Sequence, residues 1–541
     1  MKFTLVVALF FSVFATAQKI ELGNLIPKQQ KLSEQEKKDW HFKDIIDDTI
    51  PGISLNKAYK ELLKDKKGDT VIVAVLDSGF DINHEDLGDN IWKNSKEVSG
   101  NGLDDDNNGY IDDIHGWNFL GNATQTIVYE NYEFIRVLKK LKPRFEHINA
   151  NTIDPKDQML YSLYLKAQKE LDKNIALLKE DYQFLKDVVD ARKAIDQYLS
   201  RTDYTIEELS QIDPKGDTLL QKHIKERKSS LRYNMDKDWE EYFKKVTEIK
   251  EKYSLNIHYD GREIIGDNPE ILGNELYGNN DTEGDLELES HGTNVVGIIA
   301  ANRKNDIGIN GVTNLVKIMV IRTTPRGDEY DKDVANGIIY AVDNGAKVIN
   351  MSFGKEFSLN HKLVHEAIKY AEKNDVLLIS SAGNESKNID EIDYYPNDYD
   401  LRTKNEIANN FISVGASTFS PKHLVAYFSN YGKMNVDIFA PGYNIYTTAP
   451  KDTYETNGGT SFSAPIVSGI AALIKSYYAN LSMLEIKNII LNSGVDYNNI
   501  LELKQDDGTK KSIPFSELSK SGKVVNAYNA LLMAEQMSKR K

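Results

Sequence analysis

The chain has 541 residues, enough for one domain of about 300 residues together with a large addition. Its formal charge of −15 disfavours nucleic acid or an anionic membrane surface as partner, since both would repel it. With no cysteine in the chain, disulfides, thiolate catalysis and thiolate metal sites are excluded.

The chain begins MKFTLVVALFFSVFATAQ, with Lys2, an apolar run from Phe3 to Phe14 and then Ala15-Thr16-Ala17. This pattern predicts a secretory signal peptide over 1–17, and with it an exported protein, periplasmic or secreted. The apolar run is too short to span a bilayer, and no other segment reaches the roughly 20 apolar residues that a crossing helix needs. An N-terminal arm over 18–50 follows, and ISLNKAYKELL leads into the first strand.

Short, nearly continuous apolar runs recur at 71–76, 316–321, 347–351, 376–380, 411–416 and 436–440. Continuous rather than alternating runs predict strands buried on both faces. Helical patterns such as DKDVANGIIYAVDNG and NHKLVHEAIKYAEKN lie between them. The alternation predicts an α/β fold with helices covering a mainly parallel sheet, whose functional groups gather beyond the carboxyl ends of the strands. This domain is expected in two parts, 51–120 and 276–541, separated by a helical insertion over 121–275.

Within the insertion, residues 131–250 hold 24 Lys and Arg, 22 Asp and Glu, and one Gly, so the acidity belongs to the α/β part. Leu171, Ile175, Leu178, Tyr182, Leu185 and Val189 recur at helical spacing, as do Trp239, Tyr242, Val246, Ile249 and Tyr253. Two long amphipathic helices paired as a hairpin are predicted. Asp154-Pro155 suits the start of the first, and Thr205-Ile206-Glu207-Glu208 has the capping-box pattern for a shorter helix between them.

Four separate motifs carry chemistry. Asp77 ends the run VIVAVLD, where a carboxylate at the sheet edge needs a partner. His291 opens HGTNVVGIIAA at the start of an apolar helix. Asn384 stands in SSAGNE just beyond a strand, where an amide could donate to a developing oxyanion. Ser461 lies in NGGTSFSAP, between glycines that permit close backbone approach and a proline. Taken singly, Asp77, His291 and Ser461 each read more readily as a structural group or a helix cap.

Together, DSG, HGT followed by GIIAA, SSAGN and GTSFSAP, in that order, resemble the subtilisin-like serine proteases. The resemblance implies a three-layer fold, with Ser461 as nucleophile, His291 as general base and then acid, and Asp77 as the group that orients the imidazole. It implies Asn384 and the Ser461 N–H as oxyanion donors. Ser352, Phe353, Gly354 and Gly383 are implied to bind substrate, the first three by pairing with its backbone. An α/β-hydrolase is rejected, because its order is Ser, acid, His and it needs a G-x-S-x-G elbow, which NGGTSFSAP lacks. The sequence departs from the family pattern in its long gap between Asp77 and His291, in Asn294 where His is common, and in Ser463 where Ala is common.

In NGLDDDNNGYIDD, residues Asp104, Asp106, Asn108 and Asp112 match part of a calcium loop, but position twelve is His115 instead of Glu. A partial calcium loop and a solvated acidic turn both fit. By resemblance, Asp86 and Asn305 look like the family's strong calcium site. Calcium is expected as a structural ion, with none required for the chemistry. The expected function is an exported serine endopeptidase acting on proteins or peptides, with a possible protein partner at the insertion. The alternative is a catalytically silent peptide-binding scaffold that works through the insertion.

Overall fold

The computed structural model describes residues 19–20, 28, 31–149, 153–271, 277–400, 402–403, 405–504 and 509–541. The segment 1–17, expected to be a signal peptide, lies outside them. The described residues divide into two compact units, one built from those up to 128 with 265–325 and 329–541, the other from 129–264 with 326–328.

The first unit is organised by a ten-stranded sheet. Its order is Lys19–Ile20, Val495–Tyr497, Lys523–Val524, Ile438–Pro441, Phe411–Ser417, Leu377–Ser381, Val348–Met351, Val71–Asp77, Val316–Arg322 and Gly116–Asn118. Neighbours run parallel except Val495–Tyr497 against Lys523–Val524. Alternate residues serve two separate cores, which is why the runs read as continuously apolar. Val71, Val73, Val75, Ile318, Val320, Ile379 and Val414 join one core, which also takes in residues of the His291–Ala300, Thr460–Tyr477, Met483–Ser493 and Ala527–Ser538 helices. Ala74, Leu76, Met319, Ile321, Ile349 and Leu378 face the opposite way, onto the Asp331–Asp343 and His361–Lys373 helices. The result is three layers, with truncation of a large apolar side chain in either core costing about 2–5 kcal/mol.

The second unit is helical: Glu133–Phe145, Gln158–Leu199, Ile206–Ser210, Thr218–Arg232 and Lys237–Ile249. Asp154 caps the turn that opens the long helix, and Thr205 with Glu208 forms the expected capping box. The arrangement is richer than a two-helix hairpin, since the 42-residue helix packs against three others. The buried stripe also differs from the sequence reading. Leu178, Leu185 and Val188 are buried, but Ile175 and Tyr242 are 38% and 60% exposed. Phe243 takes the inward place instead, stacking on Trp239 with centroids 4.9 Å apart and meeting Phe184 edge-on. A bidentate Arg192–Glu240 pair at 2.7 Å closes one side of this contact between the helices.

Candidate active site

Parallel strands deliver their carboxyl ends to one edge of the sheet, and the candidate residues collect there. Asp77 is the last residue of its strand and almost wholly buried. Its Oδ1 lies 2.7 Å from Nδ1 of His291 and also accepts the Ser78 N–H at 2.7 Å. Its backbone carbonyl accepts from Thr323 and Thr324. The His291 side chain is 37% exposed, so one edge of the ring is fixed and the other is open. Burial of the ring opposes its charged form, but the Asp77 charge and hydrogen bond outweigh this, with a further contribution from Glu455, and raise its pKa above the ordinary value. Glu455 is held by Asn294 Nδ2 at 2.9 Å, and Asn294 itself is buried and also donates to the Thr448 carbonyl.

Ser461 stands in the first turn of the Thr460–Tyr477 helix, where backbone N–H groups have no partner within the helix. Four residues on is Pro465, which lacks the N–H that would bond the Ser461 carbonyl. Ser352 supplies the missing donor: its hydroxyl bonds that carbonyl at 2.8 Å. In return the Ser461 hydroxyl donates to the Ser352 carbonyl at 2.9 Å. Asn350 donates to Ser352 Oγ and accepts from Ser468, so a buried polar ladder ties the helix to the strand Val348–Met351. The His291 ring meets Phe462, the neighbour of Ser461, edge-on at 5.9 Å. Among the described residues there is no hydrogen bond between Ser461 and His291.

Asn384 is fixed by its oxygen. Oδ1 accepts the Thr460 N–H at 2.8 Å and the Thr460 hydroxyl at 3.0 Å. Both partners are donors, which assigns the amide orientation and leaves its NH2 free to donate. Gly383 has φ +100, and a Cβ there would fall 2.3 Å from Asn430 Nδ2, so this close approach of backbone requires glycine. The Gly383 N–H bonds Thr460 Oγ1, making Thr460 the residue that pins both. Of the expected substrate-pairing residues, Ser352 is engaged with Ser461 and the Phe353 carbonyl accepts from Ser381. Gly354 makes no backbone hydrogen bond among the described residues. Ser463 is occupied elsewhere, donating to the carbonyls of Ala440 and Pro441.

The oxygen-rich loops resolve differently from their sequence pattern. Carboxylate oxygens of Asp104, Asp106 and Glu97 lie within 4.8 Å of one another. Glu97 has no place in the spacing pattern and was not expected. Lys96 Nζ stands 3.7 Å from Asp106 Oδ2; three carboxylates so close favour more positive charge than one exposed lysine brings, so this group fits a calcium ion. Asp112 does not join it: its oxygens accept the N–H groups of Gly100, Asn101 and Gly102. Asn108 donates to Asp113 and its oxygen accepts the Tyr110 N–H. At the other loop, Asp86 is fully buried, accepts from Asn305 Nδ2 at 2.8 Å and from the Ile309 N–H at 2.9 Å, and has no ion pair among the described residues. Burial raises its pKa. A buried carboxylate without a cation also fits a calcium ion.

The subtilase family model matches residues 68–511, most of the chain. The chain belongs to the subtilase family. Over 216 residues it is 34% identical to the thermophilic serine proteinase of Bacillus sp. (strain AK1), covering 39% of this chain and 50% of that one. Over 217 residues it is 32% identical to thermitase of Thermoactinomyces vulgaris, covering 39% and 72%. Among solved structures, the prenylagaramide maturation protease PagA matches at 25% identity and a TM-score of 0.36, over 45% of this chain and 82% of that one. The matched stretch thus spans about half the length of the Bacillus relative. In this subtilase no helix among the described residues is long and apolar enough to cross a membrane.

Proposed function

We propose that the chain is a serine endopeptidase that hydrolyses peptide bonds through an acyl-enzyme. The observation that carries this reading is the 2.7 Å hydrogen bond from His291 Nδ1 to a buried carboxylate 214 positions away. It fixes the tautomer that leaves Nε2 as the base. In the proposed reaction the Ser461 hydroxyl turns from the Ser352 carbonyl toward His291, attacks the scissile carbonyl carbon and passes its proton to Nε2. The imidazolium so formed is held by Asp77 and then protonates the leaving amine. Water repeats the sequence on the ester. The negative oxygen of each tetrahedral intermediate falls to the free NH2 of Asn384 and the unpartnered Ser461 N–H, donors fixed before reaction and therefore needing little reorganisation.

The open backbone groups of Gly354 support pairing with an extended peptide. The signal-peptide pattern supports export. Asp86 with Asn305, and Glu97 with Asp104 and Asp106, would hold calcium as a structural ion, supplying charge balance to the loops and no step of the reaction. The test is labelling of the purified full chain with a fluorophosphonate probe. Wild type is expected to label and Ser461→Ala not to; an unlabelled, folded wild type would favour a silent scaffold.

A further inference from the structure

Asp77 and His291 are brought together across the longest gap in the site, and one buried ion pair sits where the chain ends around that gap converge. Arg322 closes the strand Val316–Arg322 and is the register partner of Asp77 on one side and of Asn118 on the other. Its Nη2 donates to both oxygens of Glu289 at 2.8 Å, and both side chains are wholly buried. The same guanidinium donates to Asn118 Oδ1 at 3.0 Å and to the Ile127 carbonyl at 2.7 Å. Ile127 lies just before the chain leaves the first unit, and Glu289 lies two residues before His291, after the chain has returned. The turn between is moulded to the pair. Glu289 Oε2 accepts the Asp285 N–H, and Gly284, at φ +62, leaves room that a Cβ would fill 2.5 Å from Glu289 Oε2 and 2.6 Å from Arg322 Nε.

We propose that Arg322 and Glu289 are positioning residues that set His291 against Asp77. Arg322 is tied to Asp77 by strand register, and through Glu289 it fixes the turn from which the His291 helix starts. The guanidinium offers several donors in a fixed plane, so it meets four acceptor atoms on three chain segments at once, one more than the three donors of a lysine. The interval between Asp77 and His291 includes the whole of 129–264, which belongs to a separate unit, so their approach is not set by a short connecting loop. The buried pair supplies that constraint. This role rests on the peptidase reading, in which a small misplacement of the base lowers turnover more than substrate binding.

The experiment separates positioning from simple packing. A buried ion pair can be replaced by apolar residues of similar volume with little loss of stability, whereas removing one partner leaves a charge uncompensated. The full chain carrying Glu289→Leu together with Arg322→Met is compared with wild type and with Glu289→Gln. Melting temperature, kcat and KM on a small peptide ester, and the downfield proton resonance of His291 Nδ1 are measured. The double variant is expected to stay folded with a somewhat lower melting temperature, because the Ile127 carbonyl and the Asp285 N–H lose their partners, yet to lose about tenfold or more in kcat with little change in KM and to shift or lose the resonance. A folded double variant with wild-type kcat and an unchanged resonance would overturn the proposal. If the double variant does not fold, Glu289→Gln decides by the same readings. A wild type that neither hydrolyses ester nor labels would sink the peptidase reading alone, because the resonance still reports whether the pair positions His291.

Discussion

Ser352 and Ser461 exchange two hydrogen bonds, each hydroxyl donating to the other's carbonyl at 2.8 and 2.9 Å. The first bond exists because Pro465 cannot supply the N–H that a helix would normally offer to Ser461. The second turns the hydroxyl of the proposed nucleophile toward the Ser352 carbonyl. Ser352→Ala should therefore leave the Ser461 carbonyl and the Asn350 amide short of a partner. A loss of about 1–3 kcal/mol is expected in urea unfolding. An unchanged midpoint would mean that water or a local shift replaces the hydroxyl.

Ser461→Ala should abolish both ester hydrolysis and fluorophosphonate labelling while the protein keeps its melting behaviour, since the hydroxyl makes a single bond in the folded chain. Residual turnover near wild type would show that another group is the nucleophile.

Asn384→Ala should lower kcat by about 10²–10³ with little effect on KM, the usual cost of removing one oxyanion donor. Thr460→Val should lower kcat by a smaller factor, because it removes one of the two bonds that orient Asn384 and also frees the Gly383 N–H. Steady-state kinetics on one ester substrate distinguish the cases, and an effect confined to KM would make Asn384 a binding residue only.

The acid limb of kcat/KM should lie above the ordinary histidine value of 6.5, because Asp77 and Glu455 raise the His291 pKa. The active base is the neutral imidazole, so activity rises with pH through this raised value and is lost below it. Glu455→Gln should move the limb to lower pH and leave the plateau unchanged. The sign for stability is opposite: a raised folded pKa stabilises the fold below the unfolded value, and this contribution fades as pH rises through the folded value. An acid limb that stays in place in Glu455→Gln would show that Glu455 acts on Asn294 alone.

Calcium should raise the melting temperature and chelator should lower it, with initial ester hydrolysis at low temperature persisting after chelation. A ligand at a hundred times its Kd, bound only by the folded chain, stabilises it by about 2.7 kcal/mol. Asp86→Ala should remove this response if the buried carboxylate holds the ion, and Glu97→Gln should do so if the acidic loop does. Equal melting with and without chelator in wild type would leave both loops without a structural ion.

The sequence by itself determined six of the ten strands, because strands buried on both faces must be apolar at nearly every position, and runs such as VIVAVL and VKIMVI meet that demand locally, whereas the short strands Gly116–Asn118, Val495–Tyr497 and Lys523–Val524 carry no such run. It also determined which residue types stand at the strand and helix ends, since Asp77, His291 and Ser461 lie within the elements that place them and Asn384 follows three residues after the strand Leu377–Ser381. The capping box at Thr205 was legible for the same reason: its hydrogen bonds close within four residues. What depends on residues far apart in the chain was decided only by the tertiary structure. The amide of Asn384 is turned by Thr460, 76 positions away. Asp112 is drawn into capping its own loop while Glu97 joins Asp104 and Asp106, although the spacing of the acids favours Asp112 over Glu97. Phe243 displaces Tyr242 as the inward residue of its helix because Phe184 and Trp239 meet it there. The convergence of Glu289 and Ile127 on Arg322 likewise has no mark in the sequence, since a buried charge is matched by whatever partner the fold brings to it.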